Sequence, residues 1–458
     1  MNVVLLVVDS LRAASLDPRN AANPSTPFLR SLDRDTICFK RAYATECWTL
    51  PTHCSMFTGL LPSQHGAHFH TMAYTGEAPT VAELLSTAGF DTEVVTRNFV
   101  FDGTIPGIVR GFRRRTQLLS PAGTFNPFTL FLAMAKPRFR RHIRSTGFFH
   151  PLHRDNRSFL STFARAMMPA DRLSLDYILE KMAAHRRAGS KYFIFNNLYD
   201  VHAPYPPTQS SILRSFLSLS GVAENLSFPY VMSQLGGHKY LLPGFHLSEG
   251  GRRMLLGRYH AAIELMDAKL DDFFRSARRD GLLDDTVVIL TSDHGEAFGD
   301  HGLYLHDASV YDTHLHVPLW VHWPGRAPEI VDDVVSTRDL FGLMCSAALG
   351  AGPQETILDP AYRARRPIAL AEHFHYPHAD GIGPSYKQNL AAAIGGTRKI
   401  IQRREGLMIY DIVSDPQESA PETTSLGHVA EEWSRQRLPA EAVSMASAHL
   451  GNWRSSPE

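Results

Sequence analysis

The segment Thr291-Ser-Asp-His-Gly-Glu-Ala-Phe-Gly-Asp-His-Gly302 sets a carboxylate and an imidazole side by side, at Asp293 and His294. The pair stands where an apolar, β-branched run gives way to a glycine-bearing loop. Oxygen and nitrogen donors in this arrangement suit a hard-to-borderline divalent cation such as Mg, Mn, Ca or Zn. One pair alone is a weak signal. It gains weight because Asp9 ends another apolar run, Val3 to Val8, so three ligands reach one point if the two strands are neighbours. His301, His306 and His316 follow closely in a chain of 23 histidines, most of which belong to surface or core.

A second segment, Glu46-Cys-Trp-Thr-Leu-Pro-Thr-His-Cys-Ser-Met-Phe-Thr-Gly59, is rich in hydroxyls. Pro51 is suited to start a helix whose first amides face an anion. Hydroxyls near such a terminus usually cap it, and capping or packing is the expectation for Thr52, Ser55 and Thr58.

Three runs must position these groups: Val3 to Asp9, Tyr192 to Asp200 and Val287 to Asp293. Each is a mainly β-branched or aromatic apolar run that ends in a carboxylate. Such runs read as parallel strands covered on both faces, and the carboxyl ends of parallel strands form the ligand crevice of an open α/β sheet. The competing reading of each Asp is a cap on the turn that follows. Tyr259 to Phe274 has apolar residues at spacings of three and four, which predicts an amphipathic helix crossing to the third strand. Thr337 to Leu349 carries a similar pattern.

With 458 residues, 44% hydrophobic and 20% charged, the chain can bury a large α/β core. Forty-six Lys and Arg balance 46 Asp and Glu, so no overall field calls for nucleic acid or an acidic membrane as partner, and anion binding must be local. Cysteines at 38, 47, 54 and 345 lack C-x-x-C spacing and are too few to staple the fold, which favours a reducing, cytoplasmic setting. The N-terminal apolar run lacks a basic n-region and a cleavage site and reads as a strand. No run approaches the roughly 18 residues that span a bilayer; Phe128 to Ala135 falls short. Residues 104–160 mix aromatics with the clusters Arg113 to Arg115 and Arg138 to Arg144. They read as an insertion over the sheet: a lid bringing cations to an anionic substrate, a peripheral membrane contact, or a helical excursion with a solvated basic face. Residues 421–458 read as a polar, weakly helical tail.

Taken in order, Asp9 after its strand, Thr49-Leu-Pro-Thr-His, Thr58-Gly59, Asp200-Val-His-Ala-Pro-Tyr, Ser292-Asp-His-Gly-Glu and Gly299-Asp-His-Gly resemble the sulfatase branch of the alkaline phosphatase superfamily. Lys399-Ile-Ile and Tyr410-Asp-Ile-Val-Ser-Asp-Pro-Gln-Glu418 are similar to that family's closing strands, and the match covers roughly residues 1–420. The resemblance implies an α/β fold with a central, mostly parallel sheet flanked by helices and a small C-terminal α+β subdomain. It divides the chain into a catalytic domain at 1–350, a subdomain at 351–420 and the tail. It also implies that Asp9, Asp293 and His294 hold one divalent metal together with a nucleophile at Thr49, and that His202, His53 and His306 contact substrate or assist catalysis. His202 resembles the family's substrate-oxygen-binding histidine.

Two departures bear on the chemistry. Thr49 stands where formylglycine sulfatases carry Cys or Ser, and Cys47, four residues before Pro51, is out of register for that conversion. A formylglycine diol releases sulfate by elimination, whereas a phosphothreonine is open to attack at phosphorus by water or an alcohol. Ser10 replaces a second Asp, which points to a single-metal site, while a two-metal site drawing on Asp200, His202 or His306 is the alternative. His53 and His306 stand where relatives often carry Arg and Lys, which suggests a less charged substrate such as a diester. The leading expectation is transfer or hydrolysis of a small phosphate ester or phosphodiester through Thr49. The rivals are sulfate-ester hydrolysis and a non-catalytic binding protein.

Overall fold

The computed structural model describes residues 1–117, 171–205, 228, 230–235, 240–306, 308–352, 354–375 and 386–453. The central sheet and its loops contain β1 (Asn2–Val8), β2 (Ile37–Tyr43), β3 (Asp91–Thr96), β4 (Arg114–Gln117), β5 (Tyr192–Leu198), β6 (Thr286–Thr291), the short ribbon β7 (Ala297–Phe298) and β8 (Tyr304–Leu305), β9 (His316–His322) and β10 (Glu329–Ser336). Strands β1, β5 and β6 are buried at every residue. Alternate side chains point to opposite faces. Val3, Leu5 and Val7 therefore join one apolar cluster with Phe193, Phe195, Val287 and Ile289, while Val4, Leu6 and Val8 join another with Ile194, Val288 and Leu290.

The eight strands run in the order β10-β2-β9-β6-β1-β5-β3-β4. All are parallel except β9, which opposes both β6 and β2. Helices α1 (Pro27–Asp35), α2 (Thr49–Thr58), α3 (Val81–Thr87), α4 (Asp171–Ala188), α5 (Glu249–Arg279) and α6 (Leu340–Leu349) flank the sheet. One face is covered by α1, α4 and α5 through Leu29, Ile178 and Ile263, and the other by α2, α3 and α6 through Met56, Leu85 and Leu343. The helix expected at 259–274 is part of the 31-residue α5, and the pattern from Thr337 is a 3-10 turn leading into α6. Among the described residues no helix is long and apolar enough to cross a membrane, and the four cysteines form no disulfide.

A second, antiparallel sheet runs through β11 (Ile368–His373), β12 (Leu390–Gly395), β13 (Arg398–Arg403), β14 (Gly406–Asp411) and β15 (Glu422–Thr424). The stretch from 421, read as a polar tail, differs from that expectation. It supplies β15 and two helices, α7 (Leu426–Arg435) and α8 (Ala440–Trp453), which bury Val429, Trp433, Ala446 and Leu450 against Leu370, Ala393 and Ile400. Its apolar residues are sparse but share one face, and a layer of sheet is there to receive them. Of the insertion at 104–160, only 104–117 is described; there Arg113 and Arg114 bond to Ser86, Asp91 and Glu93. Residues 118–160, with the aromatics, the second basic cluster and the apolar run at 128–135, lie outside the described residues.

Trp433 is wholly buried under the second sheet. Replacing it with Ala is expected to lower unfolding stability by about 3–5 kcal/mol, read from urea denaturation followed by circular dichroism; an unchanged midpoint would mean that α7 and α8 are not part of this core.

Candidate active site

Register brings the acidic strand ends together. Val7 pairs with Thr291 and Val8 with Leu198, so Asp9 emerges level with Asp293 on one side and Tyr199 on the other. Asp9 donates its backbone N–H to Leu198 at 2.8 Å. Ser10 then adopts a left-handed conformation (φ 65°). That turn directs the Ser10 amide to Asp293 Oδ1 at 3.2 Å, while the Ser10 hydroxyl donates to Asp9 Oδ1 at 3.1 Å.

Asp9, Asp293 and His294 are fully buried, and donor atoms of all three lie within 4.8 Å of one another. His294 Nε2 is 3.7 Å from Asp9 Oδ1 and 3.4 Å from Asp293 Oδ2. Its other nitrogen, Nδ1, donates to the Gly295 carbonyl at 2.9 Å, which fixes the tautomer and leaves the Nε2 lone pair facing the carboxylates. Asp9 Oδ2 accepts from Asn98 and Asn197, each at 3.1 Å. Asp293 Oδ1 is satisfied by the amides of Ser10 and His294, but Asp293 Oδ2 is buried with no hydrogen-bond partner. An orphaned carboxylate oxygen beside an imidazole nitrogen and a second carboxylate fits a divalent cation. With no cation present, burial followed by the charge of Asp293 pushes Asp9 up to about 6. Burial likewise pushes Asp293 up to about 7 and His294 down to about 3.

Thr49 is the first residue of α2, so the helix starts two residues before Pro51, the expected start. Its hydroxyl lies 3.4 Å from His294 Nε2, beside the carboxylates. The amides of the first helical turn have no intrahelical acceptors, and this end of the helix favours negative charge. The remaining hydroxyls turn inward: Thr52 donates to the Trp48 carbonyl, Thr58 to that of Cys54, and Ser55 pairs with His65. His53 Nδ1 donates to the Thr49 carbonyl at 2.8 Å, and its ring is sealed by Phe57, Phe101 and Phe195. Burial pushes it down to about 3, and its Nδ1 lies 3.7 Å from Asp293 Oδ2, which keeps the ring beside the cluster.

His306 and His202 line the same crevice. His306 stacks on His294 at 4.4 Å and meets the edge of His202 at 4.9 Å, and its Nδ1 lies 2.8 Å from Glu296 Oε1. Glu296 also accepts from Tyr205 at 2.9 Å. Burial raises Glu296 to about 7 and carries His306 well below its ordinary value. His202 stacks on Tyr199 and bonds through Nδ1 to the Ala203 carbonyl. Asp200, the third strand-end carboxylate, is drawn instead into ion pairs with Arg97 and Lys269. Among the described residues, no cluster of metal-type donors includes Asp200, His202 or His306. His301 and His316 are likewise elsewhere, stacked on Tyr311 and bonded to Lys40. Sequence reasoning passed over Asn98, Asn197, Glu296 and Tyr205. Of these, only Glu296 and Tyr205 sit inside quoted motifs, where a signal existed.

The family model named Sulfatase matches residues 1–351. The choline-sulfatase of Rhizobium meliloti (strain 1021) is 24% identical over 361 residues, covering 76% of this chain and 67% of that protein. The multifunctional alkaline phosphatase superfamily protein PehA of Trinickia caryophylli is 24% identical over 335 residues, 66% of this chain and 64% of that one. The crystal structure of the phosphonate monoester hydrolase of Agrobacterium radiobacter superposes with a TM-score of 0.61 at 19% identity, covering 98% of this chain and 96% of that chain, and so shares the fold. The match of the family model to most of the chain, on a fold that converges Asp9, Asp293 and His294, establishes that this protein belongs to the sulfatase family of ester hydrolases, within the alkaline phosphatase superfamily.

Proposed function

We propose that the protein cleaves a small phosphate ester or phosphodiester, or transfers its phosphoryl group, with Thr49 as nucleophile. The observation that carries this reading is the Thr49 hydroxyl at the start of α2, 3.4 Å from His294 Nε2, while the neighbouring thiol of Cys47 lies 3.6 Å from His373 Nδ1. The alcohol therefore faces the cluster of carboxylates and imidazole, at the position where related sulfatases use formylglycine. Phosphorus also tolerates attack on the intermediate in a way that a sulfated threonine does not.

Asp9, Asp293 and His294 would hold the divalent cation, which when bound supplies Lewis-acid polarisation and charge stabilisation. The work of this chain's own residues is alignment. Thr49 Oγ1 would give up its proton to solvent and form the bond to phosphorus as the ester P–O bond breaks, and α2 presents its positive end to the anion. His202, half-buried at the crevice, would donate a proton to the leaving oxygen. His306, held by Glu296, would orient a substrate oxygen. His53 positions Thr49 through its carbonyl. Neutral imidazoles in place of fixed cations favour a substrate with one negative charge, such as a diester. Sulfate-ester hydrolysis is the second reading, favoured by the match to a choline-sulfatase.

Thr49→Ala is expected to lower turnover of an aryl phosphate diester by about 10³-fold or more and to abolish the phosphate-sized mass gain that intact-protein mass spectrometry detects in wild type after brief exposure. Turnover of the matched aryl sulfate exceeding that of the phosphate would favour the second reading. In the metal-free protein, Asp9 and Asp293 hold protons more tightly than in the unfolded chain, so their contribution to stability is fully present below their ordinary value of 3.8 and declines above it. It is lost as pH rises through about 6 to 7. The chelated protein is thus expected to melt at a lower temperature at pH 8 than at pH 6, a drop that Asp293→Asn reduces; equal drops in both proteins would remove the case for Asp293 as a buried anion awaiting a cation.

A further inference from the structure

A second set of metal-type donors lies outside the crevice, just upstream of Thr49. Glu46, Cys47 and His373 are all buried, with one donor atom from each within 4.8 Å of the others. Cys47 Sγ lies 3.6 Å from His373 Nδ1, and Glu46 Oε1 lies 2.9 Å from the same nitrogen. Tetrahedral zinc, with bonds of about 2.3 Å to sulfur and about 2.0–2.1 Å to nitrogen or oxygen, places its sulfur and nitrogen ligands about 3.6 Å apart and its nitrogen and oxygen ligands about 3.3 Å apart. The first spacing is already present. The second needs an opening of a few tenths of an ångström.

A second observation points to a ligand. Glu46 Oε1 accepts from the Cys47 amide at 2.8 Å, but Glu46 Oε2 is buried with no hydrogen-bond partner. A carboxylate oxygen left dry in this way is costly unless something binds it. It could complete the coordination as the second oxygen of a bidentate carboxylate.

We propose that Glu46, Cys47 and His373 form a zinc site that is separate from the Asp9 cluster and structural in role. On loading, the thiol releases its proton to solvent and His373 carries its proton on Nε2, leaving Nδ1 to bind. Thiolate and carboxylate then cancel the two positive charges, so the interior holds a neutral unit. The soft sulfur donor selects zinc over Mg and Ca, whereas the carboxylates of the crevice accept the harder ions. Glu46 and Cys47 lie between β2 and α2, and His373 ends β11, whose Glu372 amide already donates to the Thr45 carbonyl at 2.9 Å. The zinc would cross-link the segment that presents Thr49 to the C-terminal sheet.

The test is cobalt substitution of the full-length, metal-stripped protein followed by optical absorption. Wild type is expected to develop a near-ultraviolet thiolate-to-cobalt charge-transfer band that saturates by two equivalents, one of them taken by the crevice, and is displaced by zinc. The band should persist in Asp293→Asn, which disables only the crevice, and vanish in Cys47→Ala. No such band in wild type, or a band that survives in Cys47→Ala, would overturn the proposal. The wild-type spectrum decides the matter even if Cys47→Ala does not fold.

Discussion

Two carboxylates, Asp9 and Asp293, are buried side by side at the ends of adjacent parallel strands, and the rest of the structure is arranged around that unfavourable placement. Like charges in a dry setting repel, and each loses its hydration. The chain compensates with donors aimed inward: the Ser10 and His294 amides, the Ser10 hydroxyl and the side-chain amides of Asn98 and Asn197. It stops short of full satisfaction. The unpartnered Asp293 Oδ2 and the neighbouring His294 Nε2, which lies 3.4 Å from the Thr49 hydroxyl, suit a cation.

The shell beneath is neutralised differently. Asp200 pairs with Arg97 and Lys269, and Asp171 with Arg97, so this layer carries its own counter-charges. The pairing holds Asp200 down, with the Arg97 and Lys269 charges opposing the effect of burial, while burial and the nearby Asp200 raise Asp171 to about 7. Arg97 also lies over the ring of Tyr199, which in turn stacks on His202. The ionic layer thereby supports the crevice wall.

The C-terminal sheet is tied to the catalytic layer by buried polar contacts. Glu372 accepts from the Ser63 amide and hydroxyl at 2.6 and 2.7 Å. Lys399 bridges Asp312 and Glu418 at 2.6 and 2.8 Å, reaching the segment just before β9. Bonds of this kind are directional and need their partners in place. They set the register of the small sheet against the loops of the site, whereas the apolar contacts supply cohesion.

The strand ends at Asp9 and at Asp293 and His294 were legible in the sequence because their signal is local: an apolar run, a carboxylate and a turn. The parallel sheet was legible for the same reason, since strands without a polar face require cover on both sides. Local pattern also gave Asp200 the same appearance, and only the tertiary structure separated it, by bringing Arg97 and Lys269 from distant segments to pair with it. Asn98 and Asn197 carried no signal, because an amide becomes a carboxylate's partner only when strand order places it there. The folded core formed by residues 421–453 was hidden because its few apolar side chains acquire meaning only against the second sheet. What the sequence determined alone was which groups could do chemistry; which of them meet, and which are neutralised elsewhere, followed from non-local adjacency, which residue spacing does not encode.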